Sequence, residues 1–250
     1  MNDDLLSLRA LVVSPEEGLR DLFRQAAAAC PVPTEIVEVS DAAAPNLALA
    51  GASDLAYVDG ALPPERMLQV VSALRASAEP PFTVQLATSS AAQPFECDGL
   101  AGKPARPEQA RWLLERSLRV RLTSRVLVVD DSSTMRSIVR KALAGTRFPL
   151  EISEADEGFV ALKLVRESDF HIVFLDYNMP DLSGLETLAE FKRDKRRISV
   201  VLMTSAQDNL LANRARAEGA GFLKKPFFPA DIEAVLCGFY GLRALNPKRA

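Results

Sequence analysis

Short apolar runs, each ending in a polar residue and followed by a helical pattern, recur along this chain. The clearest is Val126-Leu127-Val128-Val129, a β-branched run suited to a strand buried on both faces. Asp130-Asp131 ends it, and Ser132 and Ser133 are of the type that caps a helix. Met135, Ile138, Val139, Ala142 and Leu143 then fall on one stripe at helical spacing, and Gly145 marks a stop. The alternation continues with strands at 150–153, 172–176, 198–203 and 222–224. Between them come helices near 157–166 and 185–192 and from about Asp208. A closing helix carries Ile232, Val235, Leu236 and Phe239. Five strands alternating with five helices predict a parallel sheet covered on both faces.

The first half repeats this rhythm. Strands are expected at 10–13, 35–39, 55–59, 83–87 and 100–102, with a first helix begun by Leu19, Leu22 and Phe23. A helix over 107–120 places Ala110, Leu113, Leu114, Ser117 and Leu118 on one stripe. Matching element lengths suggest a tandem duplication. The prediction is two doubly wound (βα)5 flavodoxin-like domains, at 1–121 and 124–245, joined by a linker of a few residues.

In such sheets ligands sit at the carboxyl ends of the strands, so the residues there are candidates for chemistry. In the second half these are Asp130, Asp131, Asp176, Thr204 and Lys225. Three carboxylates at one sheet edge repel one another unless a cation offsets them. An acidic site without His or Cys suits a hard divalent ion, Mg²⁺ foremost. Lys225 supplies a point charge for a carboxylate or phosphoryl group, and Thr204 a hydroxyl donor. Together they suggest that Asp176 is a nucleophile for phosphoryl transfer. Singly, Thr204 also suits a helix N-cap and Phe222 a core position.

Composition narrows the function classes. The 250 residues carry a net charge of -3, with 48% hydrophobic and 25% charged residues, an ordinary globular balance without the basic field of a nucleic-acid binder. Three scattered cysteines, Cys30, Cys97 and Cys237, fit reduced thiols better than a disulfide framework or zinc site. No apolar run reaches membrane-span length, and Met1-Asn2-Asp3-Asp4 has the wrong charge for a signal peptide. A cytoplasmic protein is expected. Residues 1–123 hold 11 basic and 16 acidic residues, and 124–250 hold 19 and 17.

Four fragments carry a resemblance. Val128-Val129-Asp130-Asp131, Phe174-Leu175-Asp176-Tyr177-Asn178-Met179-Pro180-Asp181 with Gly184, Met203-Thr204-Ser205-Ala206, and Lys224-Lys225-Pro226-Phe227 resemble the signature of response-regulator receiver domains. The resemblance spans about 124–243 and is nearest the stand-alone type. It implies that Asp176 accepts a phosphoryl group from a histidine kinase or histidine phosphotransfer protein. It further implies that Asp130, Asp131, Asp176 and the Asn178 backbone carbonyl hold Mg²⁺, that Thr204 and Lys225 sense the phosphoryl group, and that Phe222 is the switch aromatic. Output would then be contact with a downstream protein target, a phosphate-sink role in a relay being the alternative.

The first half departs from this signature where the metal would sit. Ser14-Pro15 replaces the acidic pair, while Asp59 and Lys103 hold the acceptor and lysine positions. This half is read as a degenerate receiver in which Asp59 and Lys103 form a structural ion pair and which serves as a docking or homodimerisation platform. Glu16 and Glu17 offer themselves as substitutes for the missing pair, but they lie two positions late and look like ordinary first-turn acids. Trp112 lies off its helix stripe, and the basic run 192–197 reads as a solvated loop. Asp176 lacks the Asp-x-Asp arrangement of haloacid-dehalogenase-type phosphatases, which leaves an aspartyl-phosphate phosphatase as the lesser alternative. Ala206 offers no group to orient water, which favours a long-lived acyl phosphate with at most slow self-dephosphorylation. His171, the sole histidine, begins a strand instead of standing on a helix face as a phosphotransfer histidine does.

Overall fold

The computed structural model describes residues 8–40, 53–87, 95–193, 198–205, 215 and 217–244. Contacts divide the chain into two units, Leu122–Leu236 and Met1–Arg121 with Cys237–Ala250. The first unit contains β1 (Leu8–Val13), α1 (Glu17–Ala28), β2 (Thr34–Val39), β3 (Leu55–Asp59) and α2 (Pro64–Arg75). It continues with β4 (Phe82–Ala87), β5 (Gly99–Gly102) and α3 (Pro107–Ser117). The second is built from β6 (Ser124–Val129), α4 (Ser133–Ala144), β7 (Leu150–Ala155), α5 (Gly158–Glu167) and β8 (Ile172–Asp176). There follow α6 (Gly184–Arg193), β9 (Ser199–Thr204), β10 (Gly221–Lys224) and a closing helix α7 (Pro229–Phe239), which belongs to this unit as far as Leu236.

Both sheets are parallel and share one strand order, β2-β1-β3-β4-β5 and β7-β6-β8-β9-β10. The expected α/β class with two tandem flavodoxin-like domains is what the chain adopts. The central strands β3 and β8 are buried at every position, as continuous apolar runs require, whereas the edge strands β2 and β7 share one half-exposed pattern. The second unit packs Leu127, Val129, Leu162, Phe174, Leu175, Leu188 and Leu202 to 6% exposure or less. Each such side chain contributes about 1.5–3 kcal/mol relative to exposure. The four stripe positions on α3 and Leu118 after it are buried, but the chain tightens into a 3₁₀ turn over Leu118–Arg121, short of the expected helix to 120. On α4 only Val139 and Leu143 are buried. Ile138 stands 45% exposed, so the working stripe is narrower than the sequence pattern. The helix expected from Asp208 and most of the basic run 192–197 lie outside the described residues.

The two units repeat each other down to single contacts. Arg9 pairs with Glu35 at 2.9 Å, and Arg125 with Glu151 at 3.4 Å. Arg20 and Arg24 hold Glu38, while Arg136 and Arg140 hold Glu154. The Ser14 N–H donates to the Val39 carbonyl, and the Asp130 N–H to the Ala155 carbonyl. Every one of these partners is displaced by 116 positions between the units.

Candidate functional site

β6, β8, β9 and β10 end on one edge of the second sheet. The β8–β9 register sets Asp176 opposite Met203, and the β9–β10 register sets Thr204 opposite Lys224. Lys225 follows directly, its N–H donating to the Thr204 carbonyl at 2.7 Å. Strand pairing alone thus gathers groups that are far apart in sequence. Lys225 Nζ donates to Asp130 Oδ2 at 2.7 Å and to Asp176 Oδ1 at 2.8 Å. Asp130 Oδ1 accepts from the Ser132 N–H at 3.0 Å, and the Arg136 guanidinium clasps the Asp130 carbonyl at 2.8 Å.

Asp130 and Asp176 are buried, and Asp131 is exposed. Ligand atoms of the three carboxylates lie within 4.8 Å of one another, an arrangement the described residues contain nowhere else. Burial pushes the Asp176 carboxyl above the ordinary carboxylate range. Lys225 pulls it down and the Asp130 charge pushes it up further. Lys225 stays above its ordinary value, because Asp130 and Asp176 outweigh the opposing effect of burial. One ammonium against three carboxylates leaves an excess of negative charge on hard oxygen donors. That donor set fits Mg²⁺, with the exposed Asp131 on the side open to water.

Thr204 is fully buried at the end of β9, and Phe222 is half-buried against the sheet core. Asn178 lies exposed in the loop after β8. That loop is pinned at both ends. The Tyr177 N–H donates to Met203, and the Gly184 N–H returns to the Tyr177 carbonyl, both at 2.9 Å. A Cβ on Gly184 would lie 2.5 Å from the Asp176 carbonyl oxygen, so only glycine admits this approach.

The corresponding edge of the first unit is arranged differently. Asp59 is fully buried, its Oδ2 accepting from Ser14 Oγ at 2.6 Å and from Lys103 Nζ at 2.9 Å. Its Oδ1 accepts from the Ala61 N–H at 3.0 Å. Lys103 Nζ also donates to Glu16 Oε1 at 2.7 Å. Glu16 is therefore more than the first-turn acid the sequence suggested. It takes the second place on the lysine that Asp130 holds in the other unit. The two-position offset that argued against Glu16 as a substitute carboxylate is bridged by the reach of its side chain. Burial works against the Lys103 charge, but Glu16 and Asp59 hold the ammonium above its ordinary value.

Other residues singled out in the sequence have structural partners. His171 Nδ1 accepts from the Arg125 N–H at 3.0 Å, so this ring nitrogen is engaged at the start of β8. Trp112 is 52% exposed, with the Arg116 guanidinium 4.9 Å from its ring centre. Lys192 pairs with Glu218 at 2.7 Å.

Residues 126–236 match the family described as response regulator receiver domain. A chemotaxis protein CheY-3 of Vibrio cholerae is 34% identical over 115 residues, 45% of this chain and 88% of the relative. A chemotaxis protein CheY of Pseudomonas aeruginosa is 33% identical over 106 residues, 41% of this chain and 85% of the relative. A solved structure of a probable two-component system response regulator/GGDEF domain protein covers 93% of this chain and 98% of its own, at 22% identity and TM-score 0.55. That likeness extends the shared fold over both units.

Proposed function

The chain belongs to the response-regulator receiver family, and from that premise we propose that its second unit is the phosphoacceptor of a two-component relay. The observation that carries this reading is Lys225 shared between Asp130 and Asp176 beside the third carboxylate of Asp131. An Asp176 carboxylate oxygen attacks the phosphorus of a phosphohistidine on a kinase or phosphotransfer protein. The P–N bond breaks, an acyl phosphate P–O bond forms, and the imidazole leaves with a proton. Mg²⁺ held by Asp130, Asp131, Asp176 and the Asn178 carbonyl would supply charge neutralisation for the transferring group. Lys225 turns its ammonium from the carboxylates to a phosphoryl oxygen, and Thr204 donates its hydroxyl to another. Movement of Thr204 and Phe222 would then alter the surface offered to a protein target, in a cytoplasmic signalling protein that is not itself an enzyme.

The first unit is a degenerate receiver in this reading. Ser14, Lys103 and Ala61 already satisfy both oxygens of Asp59, and Ser14-Pro15 supplies no carboxylate for a metal. It would act as a fixed platform for a partner or a second copy.

Incubation with Mg²⁺ and a small phosphodonor, read by intact mass, tests both halves of the proposal. One phosphoryl group per chain is expected, lost in Asp176→Asn and kept in Asp59→Asn. Addition at Asp59 would overturn the degenerate reading. Rapid turnover of unrelated phosphoesters would replace the signalling role with an enzymatic one.

A further inference from the structure

The N-terminus of α5 lacks a cap from its own chain segment. Its N-cap residue, Glu157, makes no side-chain capping bond. The missing acceptor comes from the loop after β8, where Asp181 Oδ2 accepts from the Phe159 N–H at 3.1 Å. A helix N-terminus favours a carboxylate there through its unpaired N–H groups and its dipole. Burial opposes the Asp181 charge, yet backbone N–H groups, those of Leu182 and Phe159 foremost, hold the carboxyl below its ordinary range. The fit is close. A Cβ on Gly158 would lie 2.9 Å from the Leu182 Cβ and 2.8 Å from Thr187 Oγ1.

Asp181 Oδ1 is buried without a hydrogen-bond partner, a cost normally avoided. The first unit offers an internal comparison. There α2 begins at Pro64, four residues' loop after Asp59, and Pro64 stands where the 117-residue displacement of β3 to β8 would put Asp181. The same sheet therefore closes around an acceptor-position aspartate without a carboxylate at this point. The unit that keeps three clustered carboxylates has a seven-residue loop, 177–183, with its ends pinned at Tyr177 and Gly184. Asp181 ties its outer stretch, which contains Asn178, to a neighbouring element.

We propose that Asp181 is a positioning residue for phosphoryl transfer, capping α5 so that residues 178–182 hold the Asn178 carbonyl toward the metal. The proposal rests on the phosphoacceptor reading of Asp176 given above. Asp181 touches none of the reacting atoms. Its effect is on how readily the loop meets the cation.

The test uses the full chain and three proteins: wild type, Asp181→Ala and Asp181→Asn. Hydrogen exchange at the Phe159 amide is read without metal or phosphodonor, and phosphorylation by a small phosphodonor is followed over a Mg²⁺ titration. Asp181→Ala is expected to speed Phe159 exchange and to raise the Mg²⁺ concentration for half-maximal phosphorylation about tenfold, as loss of an outer support to a metal ligand does. The rate at saturating Mg²⁺ should stay within about twofold, since the reacting groups are intact. Asp181→Asn keeps a capping oxygen and should restore both readouts. Faster exchange with an unchanged Mg²⁺ requirement would make Asp181 a cap and nothing more, overturning the proposal. Unchanged exchange would show that the cap is not made, and the proposal would fall equally. A wild-type chain that takes up no phosphoryl group would sink the phosphoacceptor reading itself, and this proposal with it.

Discussion

At the scale of single residues, Asp176 combines burial with a need for charge. Its carboxyl lies above the ordinary range because burial disfavours the anion. The folded state therefore holds the Asp176 proton more tightly than the unfolded chain does. The stability this contributes is fully present below the unfolded value, near pH 4, and is lost as pH rises through the folded value. Asp176→Asn removes that loss while Lys225 keeps its bond to Asp130. Without metal, the variant should melt above wild type at pH 7, and the difference should vanish near pH 4. Scanning calorimetry at the two pH values decides it. A variant melting below wild type at pH 7 would mean that the Lys225 pair outweighs burial.

At the scale of elements, the approach of α6 to β8 fixes the acceptor loop. Gly184→Ala would push a methyl group to 2.5 Å from the Asp176 carbonyl oxygen. It should cost about 1–3 kcal/mol in urea unfolding and slow phosphorylation. Gly102→Ala meets nothing within 4 Å and should stay within about 0.5 kcal/mol of wild type. The central strands were readable from the sequence because their apolar runs have one use, burial on both faces. The strand ends were readable because polar residues stop those runs. Contacts set by side-chain reach were not. Glu16 reaches Lys103 from two positions away, and Asp181 caps a helix that begins 23 residues earlier. Neither has a local pattern. Ile138 erred in the other direction, lying at stripe spacing on a face that α4 leaves to solvent.

At the scale of the whole molecule, one fold is present twice with two different charge arrangements. Mn²⁺ titrated calorimetrically into the full chain should bind with a stoichiometry of one. Asp130→Ala should abolish that binding, and Ser14→Ala should leave it intact. Two sites per chain would contradict the degenerate reading of the first unit. The repeated ion pairs carry one more consequence. Their displacement of 116 becomes 117 at β3 and β8, and stays 117 for β4 and β9. It then jumps to 122 between β5 and β10, and Lys103 and Lys225 share that value. Nearly all the difference in length between the units therefore lies in one connection, directly after the strand that ends at Thr204. The strands that hold the acceptor share one spacing in both units, and the segment leading away from the proposed phosphoryl sensor is where the two units differ in length.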